Sequence, residues 1–293
     1  MKARDLQEEY LFSGHGACPG CAMPLVARYA FLALGQNTIV IVTASCFGTI
    51  ISTFYPTAPI KLAAYSTPFA SAGAAASGVR AALDMKSDNV TTVLAIAGDG
   101  GTFDIGLQAL SAAAERNDNI IYLCYDNEAY MNTGIQRSSA TPWGSWTTTT
   151  PPANLKDQPK KDIVQIMVAH NVPYVATVSI AYPEDFNRKM KKARETRGFK
   201  FLYALSPCPV GWRFSSELTV RLARLAVQTK LFPLLEVENG ERYILNEVPE
   251  GIPVSEYLQP QGRYSFLREG DTERIQEEVD REWKRLMRRM EGT

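Results

Sequence analysis

Three features are missing from this 293-residue sequence: an excess of charge, long hydrophobic runs and a Walker loop. Lys and Arg total 31 and Asp and Glu total 31, so charge does not favour binding to nucleic acid or an anionic membrane. Residues 1–5 contain no hydrophobic signal core, and apolar runs such as residues 39–42 are too short to cross a bilayer. We therefore expect a cytoplasmic protein with no nucleic-acid or membrane partner.

Cysteine is also scarce, and five cysteines in a cytosolic chain of this size suggest metal or redox chemistry rather than a disulfide scaffold. Cys18 and Cys21 form a Cys-x-x-Cys turn, while Cys46 and Cys208 each follow a predicted strand. Because the strands of a parallel sheet end at one rim, the four thiols can converge and hold a [4Fe–4S] cluster or a structural Zn²⁺. Their spacing only slightly favours the cluster. Cys124 lies inside a predicted strand, so we interpret it as a small buried hydrophobe.

The chain is organised around residues 93–133. An apolar run at residues 93–97 leads into Gly-Asp-Gly-Gly-Thr at residues 98–102, then a helical pattern, and then a second apolar run at residues 120–125 that ends at Asp126 and Asn127. This order predicts a βαβ unit with parallel strands, whose strand ends face the rim where α/β folds bind ligands.

The residues at that rim suit a cation and a phosphate. Asp99 offers a carboxylate and Asn127 an amide oxygen, which are ligands that Mg²⁺ accepts. The glycines allow backbone N–H groups to approach a phosphate, and the following helix adds its N-terminal partial charge. No Gly-Lys-Ser/Thr follows the turn, so a P-loop is a poor interpretation.

A Gly-Asp-Gly turn followed by an Asn one βα unit later resembles the thiamine diphosphate (ThDP) motif. Residues 98–106 (Gly-Asp-Gly-Gly-Thr-Phe-Asp-Ile-Gly) and 125–134 (Tyr-Asp-Asn-Glu-Ala-Tyr-Met-Asn-Thr-Gly) together resemble the β subunit of the 2-oxoacid:ferredoxin oxidoreductases. The resemblance covers roughly residues 14–211, and residues 254–264 look less specifically like the C-terminal arm of pyruvate-type members. It implies a ThDP-binding α/β fold with a mostly parallel sheet flanked by helices.

The resemblance also implies roles for individual residues. Asp99, Asn127 and the Ala129 carbonyl would bind Mg²⁺, although family members often carry Thr at the position of Asn127. Asp104 and Gln136 are weaker candidates, for packing at the helix start and for the substrate loop. The residues expected to bind or border the cofactor are Cys46, Phe47, Gly48, Gly98, Asp99, Gly100, Gly101, Thr102, Asn127, Ala129, Asn132 and Thr133. Those expected to hold a [4Fe–4S] cluster are Cys18, Cys21, Cys46 and Cys208.

The implied reaction is the oxidative decarboxylation of a 2-oxoacid, with pyruvate as the default, to an acyl-coenzyme A and CO₂. ThDP acts as the electron sink, and the cluster passes electrons to ferredoxin. The glutamate that activates the cofactor is expected on a partner α chain, so we predict a hetero-oligomer of α and β chains, with γ and δ chains or their fused equivalents, doubled by two-fold symmetry. His15 precedes the Cys-x-x-Cys turn and has either a role near the cofactor or cluster or a structural one. His170 is expected to cap or pack a helix.

Outside the motifs, we expect an α/β domain over residues 1–212 and a C-terminal extension over residues 213–293. Asn239 and Gly240 predict a hairpin turn, and an apolar stripe predicts a last helix from Asp271. This hairpin and helix, if outside the main sheet, would suit a partner subunit; folding back on their own domain is equally compatible. The irregular residues 137–159 carry Trp143 and Trp146, which favours an interface or an active-site cover.

Two other functions remain open from the sequence. The first is a ThDP decarboxylase or synthase in which the cysteines hold Zn²⁺. The second is an electron-carrying or structural subunit with a decayed ThDP site, against which the intact Asp99 and Asn127 argue. The sequence does not identify the oxoacid or the direction of the reaction.

Overall fold

The computed structural model describes residues 9–52 and 58–291. Within these ranges, eight strands form one sheet in the order β2-β1-β3-β4-β6-β5-β7-β8. The strands are β1 (Thr38–Thr43), β2 (Ala63–Thr67), β3 (Thr92–Gly98), β4 (Ile121–Asp126), β5 (Tyr174–Ser179), β6 (Lys200–Leu205), β7 (Leu235–Glu238) and β8 (Arg242–Leu245). The first six pair in parallel, so their carboxyl ends lie at one rim.

Helices cover both faces of this sheet. They are α1 (Met23–Leu34), α2 (Cys46–Ser52), α3 (Ala72–Met85), α4 (Leu107–Glu115), α5 (Ile163–Val168), α6 (Pro183–Glu195), α7 (Pro209–Trp212), α8 (Thr219–Gln228), α9 (Ser255–Leu258) and α10 (Asp271–Glu291). One core contains residues of α1 and α6, and the other contains residues of α3, α4, α5, α8 and α10. Alternate residues of the central strands enter the two cores, which explains their nearly continuous apolar sequence.

The predicted βαβ unit is confirmed. Strands β3 and β4 are parallel, with Gly98 opposite Tyr125 at their carboxyl ends. The turn between β3 and α4 contains a π-helical segment, Gly100–Asp104, which the sequence did not predict. Both Asp99 and Asn127 therefore lie at the rim, as expected. None of the helices in the described ranges is both long and apolar enough to span a membrane.

The C-terminal hairpin forms around Asn239 and Gly240, which both have positive φ angles. The hairpin extends the sheet and does not lie outside it, because β7 pairs antiparallel with β5 and so covers the free edge of that strand. The apolar stripe of α10 packs on this chain's own core through Val279 and Leu286. Packing of the extension on a partner subunit and the division of the chain at residue 212 stay predictions.

Strand β2 was not predicted. The many small residues of the Ser/Ala/Gly-rich stretch at residues 66–83 suggest a closely packed helix, but this stretch begins inside β2, and α3 starts only at Ala72. Residues 63–66 of β2 are exposed, since this strand forms the edge of the sheet. A strand without a buried face carries no apolar alternation, so the sequence offers little signal for it.

Candidate functional site

Three oxygen-bearing groups meet after β3 and β4. One terminal atom of the Asn127 side-chain amide lies 2.8 Å from the carbonyl oxygen of Ala129 and 3.0 Å from Oδ1 of Asp99. With nitrogen at that position, the amide donates to both oxygens; with the amide turned over, three oxygens face one another. Oxygen ligands about 2.0–2.1 Å from an octahedral Mg²⁺ stand about 3.0 Å apart, so the spacing fits that ion.

Asp99 is buried, with 1% of its surface exposed, and its Oδ2 accepts a hydrogen bond of 2.5 Å from Ser138 Oγ. Burial, and then the negative charge of Asp126, raise the pKa of Asp99 well above its usual value, while the Ser138 hydroxyl opposes this rise. A divalent cation would stabilise the ionised carboxylate in the same place. Nothing in the sequence pointed to Ser138, which lies 39 positions from Asp99.

These groups open onto a cavity of about 670 Å³ at the carboxyl ends of β1, β2, β3 and β4. Of the residues predicted to bind or border the cofactor, the cavity is lined by Cys46, Gly48, Gly98, Asp99, Gly100, Gly101, Asn127, Ala129, Asn132 and Thr133. A Cβ at Gly100 would lie 2.4 Å from Cε1 of Tyr130, so that aromatic ring requires glycine there. The Asn132 amide donates 3.2 Å to Thr49 Oγ1.

Two of the predicted residues lie behind the cavity wall. Phe47 is buried, and its backbone N–H donates 3.2 Å to the Tyr125 hydroxyl. Thr102 is buried too, and its hydroxyl donates 2.8 Å to the Gly98 carbonyl. Phe47 and Thr102 therefore support the segments that form the cavity wall but do not line the cavity themselves. Thr43, which we did not predict, does line it, and its buried hydroxyl oxygen has no hydrogen-bond partner among the residues that the structure describes.

Cys46 and Cys208 follow β1 and β6 at the carboxyl-end rim, and electrostatic interactions connect these two thiols with Cys18 and Cys21. Burial, and then Cys208 and Cys18, raise the pKa of Cys21 to about 12 despite a hydrogen bond from the Met23 backbone. Burial, and then Cys21 and Cys208, raise that of Cys46 to about 12. The Gly211 N–H donates 3.4 Å to Cys208 Sγ. Each thiol is therefore within electrostatic range of the others, where a bound positive centre would favour their thiolates.

No three His, Cys, Asp or Glu side chains in the described ranges are placed to hold a single metal ion. The oxygen site contains only one carboxylate, which it combines with an amide and a backbone carbonyl. The four cysteines form a looser group.

The remaining predicted residues have local roles in the structure. Cys124 is fully buried in β4, which confirms its interpretation as a hydrophobe. His170 Nε2 lies 3.1 Å from Ser111 Oγ. His15 is partly buried and does not line the cavity, and within residues 9–52 and 58–291 its shielded Nδ1 has no hydrogen-bond partner. Asp104 accepts a 2.8 Å hydrogen bond from the Tyr130 hydroxyl, near the start of α4.

The loop over residues 137–159 packs against the C-terminal extension. Arg213 lies 3.4 Å from the centre of the Trp146 ring, and Arg274 lies 4.1 Å from that of Trp143. Both tryptophans are partly buried in this way within the chain.

Comparison with known proteins gives one family. Residues 43–204 match the C-terminal TPP-binding domain of thiamine pyrophosphate enzymes, where TPP is thiamine diphosphate. Ketoisovalerate oxidoreductase subunit VorB of Pyrococcus horikoshii is 47% identical over 289 residues, which are 95% of this chain and 93% of the relative. Pyruvate synthase subunit PorB of Methanocaldococcus jannaschii is 47% identical over 290 residues, which are 96% of this chain and 97% of the relative.

A solved structure shares the fold. The 2-oxoglutarate:ferredoxin oxidoreductase from Magnetococcus marinus aligns with a TM-score of 0.60 and 24% identity. The alignment covers 76% of this chain and 80% of the other.

Proposed function

Because this chain belongs to the β subunits of the 2-oxoacid:ferredoxin oxidoreductases, we propose that it holds ThDP, Mg²⁺ and a [4Fe–4S] cluster for the oxidative decarboxylation of a 2-oxoacid. The observation that carries this proposal is the meeting of Asp99, Asn127 and Ala129 at 2.8 and 3.0 Å. A carboxylate, an amide and a carbonyl form a hard-oxygen donor set, with places left for diphosphate oxygens and water.

The turn after β3 would hold the diphosphate. The backbone N–H groups of Gly100 and Gly101, which line the cavity, and that of Thr102 behind them would serve as donors. The exposed Asn132 side chain across the cavity would help them. When bound, ThDP supplies an electron sink for the loss of CO₂ from a 2-oxoacid. This chain's contribution is to bind and orient the diphosphate end, and to keep the Asp99 carboxylate away from water.

The four cysteines would hold the cluster beside that cavity. Cys46 both lines the cavity and lies within electrostatic range of Cys18, Cys21 and Cys208, so the two sites share a wall. The Gly211 N–H on Cys208 is the kind of hydrogen bond to sulfur that tunes the potential of a cluster. This arrangement supports transfer of electrons out of the ThDP site towards ferredoxin.

The substrate is a 2-oxoacid accepted together with coenzyme A. Relatives of nearly equal identity are called ketoisovalerate oxidoreductase and pyruvate synthase subunits, and we retain pyruvate as the default. We propose that a partner α chain contributes the activating glutamate, and that this chain alone is inactive in the cytoplasm. His15 remains a candidate for a contact near the cofactor or the cluster.

The alternative is a ThDP decarboxylase or synthase in which the four cysteines hold a structural Zn²⁺. The sequence spacing of the four cysteines is compatible with that ion as well, but in the described ranges the thiols are not placed to hold a single metal ion. The two functions differ in metal content and in redox behaviour, so one purified sample can separate them.

The test is anaerobic co-expression with the partner α chain, followed by iron, zinc and sulfide analysis and by EPR after dithionite reduction. We expect about four irons per chain and a reduced-cluster signal. One zinc and no iron per chain would contradict the oxidoreductase function and support the decarboxylase or synthase alternative.

Asp99→Asn tests the cation site in the same complex. Loss of the carboxylate should weaken Mg²⁺-dependent ThDP binding, measured by equilibrium dialysis, by about tenfold or more while the iron content stays the same. Asp118→Asn is the matched control, because Asp118 precedes β4 at the opposite rim, where it pairs with Arg116. Equal ThDP binding in both variants would contradict the assignment of Asp99.

A further inference from the structure

Four buried or partly buried charges lie beneath the proposed cation site, and the proposed reaction does not use them. Lys160 Nζ lies 2.5 Å from Asp126 Oδ2 and 2.6 Å from Glu128 Oε1. Arg263 Nη1 lies 2.6 Å from Glu128 Oε2. The two acids and two bases balance in charge, and we call them the buried charge cluster. Only Lys160 reaches solvent appreciably, since its side chain is 27% exposed.

Glu128 connects this cluster to the cation site, because it stands between Asn127 and Ala129. Its φ angle is 67°, a left-handed conformation that is unfavourable for a residue with a side chain. Its N–H donates 2.8 Å to Asp126 Oδ1, and its carbonyl accepts 2.7 Å from Thr141 Oγ1. The unfavourable backbone therefore depends on surrounding contacts, and it sets the direction of the Ala129 carbonyl.

Arg263 comes from the C-terminal extension, far along the chain, and reaches two groups that hold this loop. One is the Glu128 carboxylate. The other is Trp212, whose ring centre lies 3.9 Å from the guanidinium carbon and whose Nε1–H donates 2.7 Å to the Asn127 carbonyl. Arg263 is 2% exposed, so these contacts are shielded from water.

We infer that Arg263 is a positioning residue for the cation site: it holds Glu128 and Trp212 so that the oxygens of Asn127 and Ala129 stay directed at the metal. The inference rests on the proposed function, because it concerns the same Mg²⁺ and ThDP site. It assigns the C-terminal extension a part in cofactor binding. Arginine suits this place because its planar fork can pair with a carboxylate and stack on an indole together, which lysine does not do.

The sign of the effect separates positioning from simple electrostatics. Removal of a positive charge near a cation site would by itself tighten cation binding. Loss of a group that orients metal ligands weakens it, commonly by about 10- to 100-fold. A weaker site in an Arg263 variant therefore cannot come from the lost charge alone.

The experiment measures Mn²⁺, in place of Mg²⁺, binding to the assembled enzyme with ThDP present and the cluster oxidised. The EPR signal of free Mn²⁺ reports binding without turnover. We expect about 10- to 100-fold weaker Mn²⁺ binding for Arg263→Met, and a smaller loss for Arg263→Lys. Arg80→Met is the matched control, because Arg80 is also buried but bonds to Asp84, Asp88 and Thr91. The thermal stability of the Arg80→Met enzyme should fall, while its Mn²⁺ binding should be unchanged.

The double variant Glu128→Gln/Arg263→Met keeps the charge balance and leaves Asp126 paired with Lys160. It should be more stable than Arg263→Met but still bind Mn²⁺ weakly, since the contact itself is gone. Recovery of Mn²⁺ binding in the double variant, or unchanged or tighter binding in Arg263→Met, would overturn the inference. If the Arg263→Met enzyme does not assemble, Mn²⁺ binding by Arg263→Lys and by the double variant is judged by the same criteria. Absence of ThDP-dependent Mn²⁺ binding in the unmodified enzyme would instead overturn the proposed function.

Discussion

Lys200, at the start of β6, is a buried lysine that pairs with none of the carboxylates in the described part of the chain. It is 3% exposed, and its Nζ donates 2.7 Å to Asn119 Oδ1. Burial, and then the charge of Arg80, lower the pKa of Lys200 to about 7. Lysine in an unfolded chain has a pKa of about 10.4, so the unfolded state binds more protons between these values and stability rises with pH across that window. The destabilisation caused by burying Lys200 reaches its full size only at pH values below the pKa that Lys200 has in the folded state.

Lys200→Met should therefore stabilise the protein. We expect a gain of about 1–3 kcal/mol near pH 7, after allowance for the lost bond to Asn119, and a clearly smaller gain near pH 9. Thermal unfolding of the assembled enzyme at both pH values measures this. Lys192→Met is the control, because Lys192 pairs with Glu236 and Glu238 at 2.5 and 2.6 Å and its removal should destabilise. A gain that is equal at both pH values would point to packing instead of charge.

At the scale of one element, helix α3 contains two glycines in different surroundings. A Cβ added at Gly73 would lie 2.6 Å from the Ala109 carbonyl oxygen in α4, whereas one added at Gly78 would meet no atom of the described residues within 4 Å. The first glycine permits close packing of α3 on α4, the helix that follows the cofactor turn. The second only lowers the helix propensity of an exposed position.

Matched substitutions in α3 should thus have opposite effects. Gly78→Ala should raise the free energy of unfolding by about 0.5–1 kcal/mol through reduced chain entropy. Gly73→Ala should lower it by about 1–3 kcal/mol, because backbone has to shift. Melting temperatures of the two variants provide the comparison. A stabilising Gly73→Ala would show that α3 and α4 can separate without cost.

At the scale of the whole molecule, one core runs from Ile41 in β1 to Leu286 in α10. The last helix is therefore joined to the sheet that carries the site, although its sequence is highly charged. The ring centre of Trp283 in this helix lies 5.5 Å from Lys230 Nζ, which adds a contact with the turn that follows α8. We expect α10 and the sheet edge to unfold together.

Leu286→Ala tests this coupling. The cavity left by the shorter side chain should lower the free energy of unfolding by about 2–4 kcal/mol. It should also raise the rate of hydrogen exchange in peptides of α10, β8 and α8 together. Hydrogen-exchange mass spectrometry on the assembled enzyme resolves these peptides, and the exposed neighbour Arg285→Ala should change none of them. An increase confined to α10 would mean that the helix is a separate appendage.

The sequence by itself determined the βαβ unit, the cavity-lining turn and the Cys-x-x-Cys turn, because each depends on neighbours in the chain. Continuous apolar runs specify buried parallel strands, and the glycine turn places Asp99 directly after one of them. The hairpin at Asn239 and Gly240 was equally local, since both residues adopt positive φ angles readily. The family resemblance rested on these same local motifs.

Only the tertiary structure decided which distant groups complete the site. Ser138 bonds to Asp99, Arg263 reaches Glu128, and Trp212 holds the Asn127 carbonyl, yet none of these pairs is close in sequence. Edge strand β2 and the pairing of β7 with β5 were also beyond local patterns. The physical reason is the same in each case: a periodic pattern specifies which face of an element is buried, whereas the packing of whole elements determines what that face meets.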